Sequence, residues 1–160
     1  MRTNMLSVRK VSSESAEIVH AIQKKSFESL LDKYKDYDTN PAMETMDRIR
    51  EKMEHPSTTS YIFQLNDVNV GWVRVTELEG KTFKISALCV LPEYRDRGIA
   101  QDALTKIEGY HSDAAKWVLS TILEEKGNCH LYEKLGYIQN KGDLLIINEK
   151  MTLVFYEKMK

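Results

Sequence analysis

The chain has few of the residues that would make it a disulfide scaffold, a zinc protein or a membrane span. Its 160 residues include two cysteines, three prolines and seven glycines. Two cysteines cannot build a disulfide framework or a four-ligand zinc site. The four histidines show no metal-ligand spacing, and the longest unbroken apolar run covers residues 87–91, far short of a bilayer span. We therefore expect no metal and no membrane association.

The chain also lacks a surplus of charge of either sign. Lys and Arg total 23 and Asp and Glu total 24, which gives a formal net charge of -1. A protein that neutralises many phosphates normally carries a clear basic excess, so we expect no nucleic-acid partner. Residues 1–4 are not followed by an apolar stretch of signal-peptide length, which predicts a cytoplasmic protein. The length fits one globular domain spanning residues 1–160.

Hydrophobic periodicity predicts both helices and strands. Alternation over residues 5–11 predicts a first strand, and helical spacing of apolar residues, Ile18 among them, predicts a helix ending near Tyr34. Asn40 before Pro41 predicts a cap and the start of a second helix, with Met43 on its apolar face. Later helices are predicted at residues 99–109 and 129–135, and strands at 61–65, 70–78, 83–91, 117–122, 144–147 and 153–156.

The predicted order of elements is β-α-α-β-β-β-α-β-α-β-β. This order combines an antiparallel meander with one β-α-β crossover, which indicates the α/β class with a mixed (α+β) sheet. A right-handed crossover makes residues 83–91 and 117–122 parallel neighbours or near neighbours. Ligands of such sheets bind at the carboxyl ends of the strands, so we expect the functional site there.

The segment that follows residues 83–91 has the character of an anion site. A tight turn holding Arg95, Arg97 and Gly98 leads directly into the helix that starts at Ile99. The first N–H groups of a helix lack intrahelical partners and are backed by the helix dipole. The segment lacks the Lys-Ser/Thr of a Walker loop and the three glycines of a dinucleotide turn. Taken alone, it fits either a phosphate-bearing ligand of another kind or a solvated helix start with two surface arginines.

Two motifs in this chain resemble a known family. The first is Val90-x-Pro92-x-x-Arg95-x-x-Gly98-Ile99-Ala100, and the second, about thirty residues later, is the run LYEKLGY at residues 131–137. Together they resemble the GNAT superfamily of N-acetyltransferases, the first as its acetyl-CoA pyrophosphate loop and the second as its closing helix motif. The resemblance covers nearly all 160 residues and is least specific over residues 12–58.

The resemblance implies how acetyl-CoA would be held. Backbone groups of Leu88, Cys89 and Val90 would pair with the pantetheine arm as an added strand. Asn128 and Tyr132 would lie near the pantetheine and the sulfur. Many members have an asparagine seven residues before this tyrosine, a position that Glu125 occupies here, so Asn128 has the alternative role of a helix cap. The pyrophosphate would be bound by the backbone N–H groups of Arg95, Asp96, Arg97, Gly98, Ile99 and Ala100.

The implied reaction is transfer of an acetyl group from acetyl-CoA to an amine by direct attack. Tyr132 is the expected proton donor to the departing thiolate; the alternative is a packed aromatic on an amphipathic helix. Proton transfer from a phenol of pKa about 10 to a thiolate of pKa about 8.5 is uphill by about 2 kcal/mol, so it should be concerted with departure. Ser120 holds the expected strand position of a general base and cannot act as one. The remaining candidates are Asp38, Glu44, Glu124, Glu125 and water.

A different class of function also fits these motifs. The chain could be a non-catalytic acyl-CoA-binding module that senses the cofactor or recruits a partner. The acceptor amine, a small molecule or a protein amino group, is not specified by any motif. A homodimer is possible through residues 153–156 if that strand lies at an edge of the sheet.

Overall fold

The structure is a computed structural model that describes residues 6–160. The predicted first strand began at Met5, which lies outside the described residues. The strands are β1 (Leu6–Val11), β2 (Thr58–Leu65), β3 (Val68–Glu77), β4 (Thr82–Val90), β5 (Lys116–Ile122), β6 (Ile138–Asn148) and β7 (Met151–Met159). The helices are α1 (Ala16–Tyr34), α2 (Met46–Met53), α3 (Ile99–Tyr110) and α4 (Lys126–Lys134).

The seven strands form one mixed sheet in the order β1-β2-β3-β4-β5-β7-β6. Strands β4 and β5 are parallel, and the other neighbouring pairs are antiparallel. This confirms the predicted class, the order of elements, the meander and the crossover. Strand β7 lies between β5 and β6 and is hydrogen-bonded on both sides, so residues 153–156 do not meet the condition set for pairing through them, a position at an edge of the sheet.

Helices cover both faces of the sheet because successive strand residues point to opposite sides. Trp72 and Cys89 pack with buried residues of α1 and α2 in one apolar cluster. Val73 and Val75, which alternate with Trp72 along β3, pack in a second cluster with residues of α3 and α4. Full burial of a large apolar side chain contributes about 1.5–3 kcal/mol, so the two clusters hold the helices on the sheet.

The second helix begins later than predicted. Asn40 does cap as expected, since its Oδ1 accepts a hydrogen bond from the Ala42 N–H at 2.7 Å, but only a single 3-10 turn, Pro41–Met43, follows. Glu44 is extended, and the side chain of Thr45 caps α2 at Met46. Met43 is therefore exposed rather than on the buried face. The Gln23 side chain donates to the Pro41 carbonyl at 2.9 Å, a contact with α1 that the local sequence does not reveal.

Three other predictions need correction. Helix α4 begins at Lys126 rather than at residue 129, so Asn128 lies inside the helix and does not cap it. Ile18 is exposed although it fits the helical spacing of α1. Strand β6 covers Ile138–Asn148 rather than residues 144–147, with two register shifts in its pairing with β7, between Gln139 and Leu144 and between Ile146 and Asn148. Within residues 6–160, no helix is long and apolar enough to cross a bilayer.

Candidate acetyl-CoA site

The site lies where β4 and β5 separate. Their described pairing is limited to residues 82–84 of β4 and residues 116–118 of β5. Beyond these residues, the edge of β4 that includes Leu88, Cys89 and Val90 has no partner from β5 in the described structure. An extra residue in β4 shifts its register against β3, and Ala87 there has a left-handed backbone with φ of 59°. This bulge bends β4 away from β5 and leaves backbone groups available to a ligand.

A cavity of about 370 Å³ occupies this opening between α1, β4, the turn before α3, and α4. It contains ten of the eleven residues predicted for the site; Arg97 is the one outside its lining. The apolar part of the lining includes Leu88, Val90 and Leu131. The predicted residues in the lining are Leu88, Cys89, Val90, Arg95, Asp96, Gly98, Ile99, Ala100, Asn128 and Tyr132.

The N-terminus of α3 faces the cavity. Gly98 precedes the helix with a left-handed backbone, φ of 76°, and a Cβ there would meet nothing within 4 Å. Glycine is thus favoured by the backbone conformation and not by lack of space. The Asp102 N–H donates to the Gly98 carbonyl at 3.0 Å, which leaves the N–H groups of the first turn without intrahelical acceptors. This end of the cavity can bind an anion.

The two predicted arginines contact protein groups. Arg95 donates from Nε to the Val90 carbonyl at 3.2 Å and from Nη2 to the Ser26 carbonyl, which joins α1 to β4 across the cavity. Arg97 donates to the Glu93 carbonyl at 3.2 Å and lies over the Tyr94 ring, outside the cavity lining. Arg95 therefore stabilises the cavity walls, and its charge lies within the lining.

Tyr132 is a buried residue whose hydroxyl is unpartnered. Its ring packs against those of Tyr137 and Tyr156, with centroids 6.0 and 6.1 Å away. Those two neighbours donate to Glu108 and Glu133, whereas the Tyr132 hydroxyl makes no hydrogen bond to any residue in 6–160. Burial raises the pKa of Tyr132, and the nearby cysteines raise it further, so the phenol stays protonated at neutral pH.

Cys89 is not a nucleophile in this environment. It lines the cavity but is buried, and burial raises the pKa of its thiol to about 12. A protonated thiol is a poor nucleophile, which agrees with a packing role. Among the described residues, no group of three or more His, Cys, Asp or Glu side chains could hold a metal ion.

The candidate bases are dispersed by the fold. Glu125 lines the cavity and accepts hydrogen bonds from the Tyr34 hydroxyl and from Lys33 Nζ at 2.7 Å. Burial alone would raise the pKa of Glu125, but these donors lower it. Ser120, Asp38 and Glu124 are exposed and outside the cavity lining. Sequence reasoning identified Glu125 as a candidate but missed Tyr34, because the two residues are 91 positions apart.

Glu44 lies in a second polar cluster between α1, α2 and the sheet. Its Oε1 accepts from Gln23 Nε2 at 2.8 Å, and its Oε2 accepts from Lys52 Nζ. The Gln23 side-chain oxygen in turn accepts from Trp72 Nε1 at 3.2 Å. No local pattern in the sequence indicates this cluster, since its members come from α1, α2, β3 and the turn between the helices.

Comparisons with known proteins agree with this geometry. The model of the Acetyltransferase (GNAT) family matches residues 24–137. A spermidine N-acetyltransferase from Vibrio cholerae, solved with CoA and spermine, superposes with a TM-score of 0.75 at 15% identity, covering 96% of this chain and 95% of that one. The ribosomal-protein-S18-alanine N-acetyltransferase from Escherichia coli gives 0.76 at 9% identity, with coverage of 97% and 94%. No curated protein sequence matches the chain.

The family match and the shared fold define an acetyltransferase enzyme. The chain belongs to the GNAT family of acetyltransferases, in which acetyl-CoA is the acetyl donor. The resemblance noted from residues 90–100 and 131–137 is thereby confirmed at the level of the family.

Proposed function

We propose that the chain transfers the acetyl group of acetyl-CoA directly to an amine, with Tyr132 as the proton donor to the CoA thiolate. The observation that carries this proposal is that Tyr132 lines the cavity beside β4 and that its hydroxyl has no hydrogen-bond partner among residues 6–160. A general acid must have its proton available to the reacting group, and a hydroxyl already donated to a carboxylate, as in Tyr137 and Tyr156, does not.

The cavity fits acetyl-CoA in the order of its polar and apolar parts. The N-terminus of α3 offers N–H groups to a pyrophosphate, supported by the charge of Arg95. The edge of β4 at Leu88, Cys89 and Val90 offers backbone groups to the amides of the pantetheine arm. Bound acetyl-CoA supplies a thioester as the acyl donor. A backbone N–H of the same β4 segment would polarise its carbonyl.

Loss of a proton from the acceptor is the other chemical need. An amine of pKa about 10.4 is neutral in about one part in a few thousand at pH 7. Glu125 is the candidate carboxylate in the cavity lining, but its lowered pKa and its contact with Lys33 make it a weak base. We therefore assign Glu125 to positioning Tyr34 and Lys33, and we assign the proton transfer from the amine to water.

The alternative function is an acyl-CoA-binding module without catalysis. A release assay for CoA thiol over an amine panel separates the two, combined with thermal unfolding in acetyl-CoA. Acetyl-CoA at about a thousand times its dissociation constant should stabilise the fold by about 4 kcal/mol, or about 8–16 °C in Tm. CoA release that depends on the acceptor supports the enzyme. Stabilisation without such release would contradict our proposal and favour the module.

A further inference from the structure

Strand β6 is an edge of the sheet with an apolar segment that is open to solvent. It is the last strand in the order of the sheet, and within residues 6–160 it pairs only with β7. Leu144, Leu145 and Ile146 are 56%, 50% and 72% exposed. Consecutive strand residues point to opposite faces, so both faces of β6 are bare at this segment. A run of three exposed apolar residues is unusual in a surface strand unless it binds a partner.

The opposite edge of the sheet is protected against pairing with another chain. Strand β1 covers only Leu6–Val11 and carries the exposed residues Arg9 and Lys10. A short edge strand with positive charge discourages the approach of a second strand. Strand β6 has eleven residues, and residues 144–147 contain neither a charge nor a proline. Of the two edges, β6 is the one suited to pairing.

The chemistry of the bare segment matches a strand that is apolar on both faces. Leu144 is paired with Val154, which packs in the buried cluster under α3 and α4. Leu145 is paired with the half-buried Leu153, on the other face of the sheet. A strand added beside β6 would extend both apolar surfaces, so it needs apolar side chains on both faces. The segment 144–147 of a second copy has this pattern.

Two identical strands that pair antiparallel have few possible registers. Opposite residues must point to the same face of the sheet, so the twofold axis passes beside a residue that pairs with its own copy. With the axis at Leu145, Leu144 lies opposite Ile146 of the second copy, and the exposed apolar segments overlap fully. An axis at Leu144 would instead set the charged Asp143 opposite Leu145 of the second copy.

The charges at the ends of the segment favour the same register. Lys141 and Glu149 are exposed, each is four residues from Leu145, and neither is in an ion pair within residues 6–160. With the axis at Leu145, Lys141 comes to the end of the second strand that carries Glu149, once on each side of the axis. An axis at Ile146 would bring Asp143 to that end, and two acids opposite each other are destabilising.

We propose that the protein forms a homodimer in which β6 pairs antiparallel with β6 of a second copy, about a twofold axis at Leu145. The two seven-stranded sheets then form one continuous sheet. Each chain offers one such edge, so the assembly closes at two copies. The pairing covers the edge of β6 and shields its apolar segment from water. This inference does not depend on acetyl transfer.

The first test measures molecular mass by sedimentation equilibrium for the wild type and for Leu145→Lys, which would set two lysines opposite each other at the axis. At about 50 µM we expect twice the mass of the chain for the wild type, and a dissociation constant raised at least about 100-fold in the variant. Ile18→Lys is the matched control, because Ile18 is an apolar residue of α1 that is 41% exposed, and this variant should remain dimeric. A monomeric wild type, a larger assembly, or a Leu145→Lys variant that dimerises normally would overturn the inference.

Charge reversal tests the register without changing the apolar segment. Lys141→Glu brings two glutamates together on each side of the axis and should weaken the dimer about 10-fold. Adding Glu149→Lys restores opposite charges and should restore the wild-type dissociation constant. An unchanged constant in Lys141→Glu, or no recovery in the double variant, would contradict the register. Both side chains are exposed, so these variants keep the inference testable should Leu145→Lys fail to fold.

Hydrogen exchange separates strand pairing from packing of side chains alone. In a monomer the N–H groups on the outer edge of β6 face water, and in the paired dimer they donate to carbonyls of the second copy. Amides in residues 141–149 should therefore exchange at least about tenfold more slowly in the wild type than in Leu145→Lys at the same concentration. Equal exchange in the two proteins would show that β6 is not the paired strand.

Discussion

Replacing Tyr132, a residue of the cavity lining, with phenylalanine removes a single hydroxyl that has no hydrogen-bond partner among residues 6–160. Loss of a general acid typically lowers kcat by about 10²- to 10⁴-fold, equivalent to about 3–5 kcal/mol in the barrier. Because the hydroxyl leaves no buried protein group behind, the free energy of unfolding should change little. The ring remains, so the affinity for acetyl-CoA should also be nearly unchanged.

Tyr137→Phe is the matched control because it makes the same chemical change 6.0 Å away, measured between ring centroids. The Tyr137 hydroxyl donates to Glu108 Oε2 at 2.7 Å, and its removal leaves that carboxylate with Lys158. We expect a loss of about 1–3 kcal/mol in stability, at about 2–4 °C in Tm per kcal/mol, with kcat within about twofold of the wild type.

The assays are steady-state release of CoA thiol, calorimetric binding of acetyl-CoA and thermal unfolding, each on both variants. Burial raises the pKa of Tyr132 above its ordinary value of 10.0, so wild-type kcat should show no alkaline decline from this residue below about pH 10. Unchanged turnover in Tyr132→Phe would refute the proton-donor role. Equal losses of kcat in the two variants would assign the effect to packing of the aromatic cluster.

Two further predictions concern Gly71, which lies against the backbone of the cavity residue Cys89, and Glu44, which lies in the second polar cluster. Gly71→Ala would place a Cβ 2.3 Å from the Cys89 carbonyl oxygen, so β4 must move. We expect the free energy of unfolding to fall by about 1–3 kcal/mol, and acetyl-CoA to bind more weakly by calorimetry. Gly109→Ala is the control, because its Cβ would meet open space and should not destabilise the protein. Burial alone would raise the pKa of Glu44, but its two hydrogen-bond donors lower it from 4.5. A carboxylate whose pKa is lower in the folded than in the unfolded state stabilises the fold above its unfolded-state pKa, and this stability is lost as the pH falls through its folded-state pKa. Glu44→Gln should therefore make Tm fall less steeply below about pH 5. An equally steep fall in Tm in the variant would contradict this prediction.

Much of the fold follows from local patterns in the sequence. The period of two in β2, β3 and β4 and the period of 3.6 in α1 and α3 predict these elements because each buries one face. The sequence was misleading where a distant contact decides the outcome. The turn at Pro41–Met43 is held by Gln23 of α1, so α2 starts at Met46 although Asn40 and Pro41 form a good local helix start.

The site divides in the same way between local and tertiary causes. The left-handed Gly98 and the helix that follows it are encoded within a few neighbouring residues, so the anion-binding turn could be identified from the sequence. The divergence of β4 from β5 and the difference between the hydroxyls of Tyr132 and Tyr137 depend on which elements meet in space.

The sequence by itself therefore determined the family and the end of the cavity that suits a phosphate. The tertiary structure decided which tyrosine hydroxyl is without a protein partner and how β4 separates from β5 to open the cavity. The physical reason is that hydrogen-bond partners and burial are set by residues tens of positions apart, whereas helix starts and strand alternation are set by neighbours.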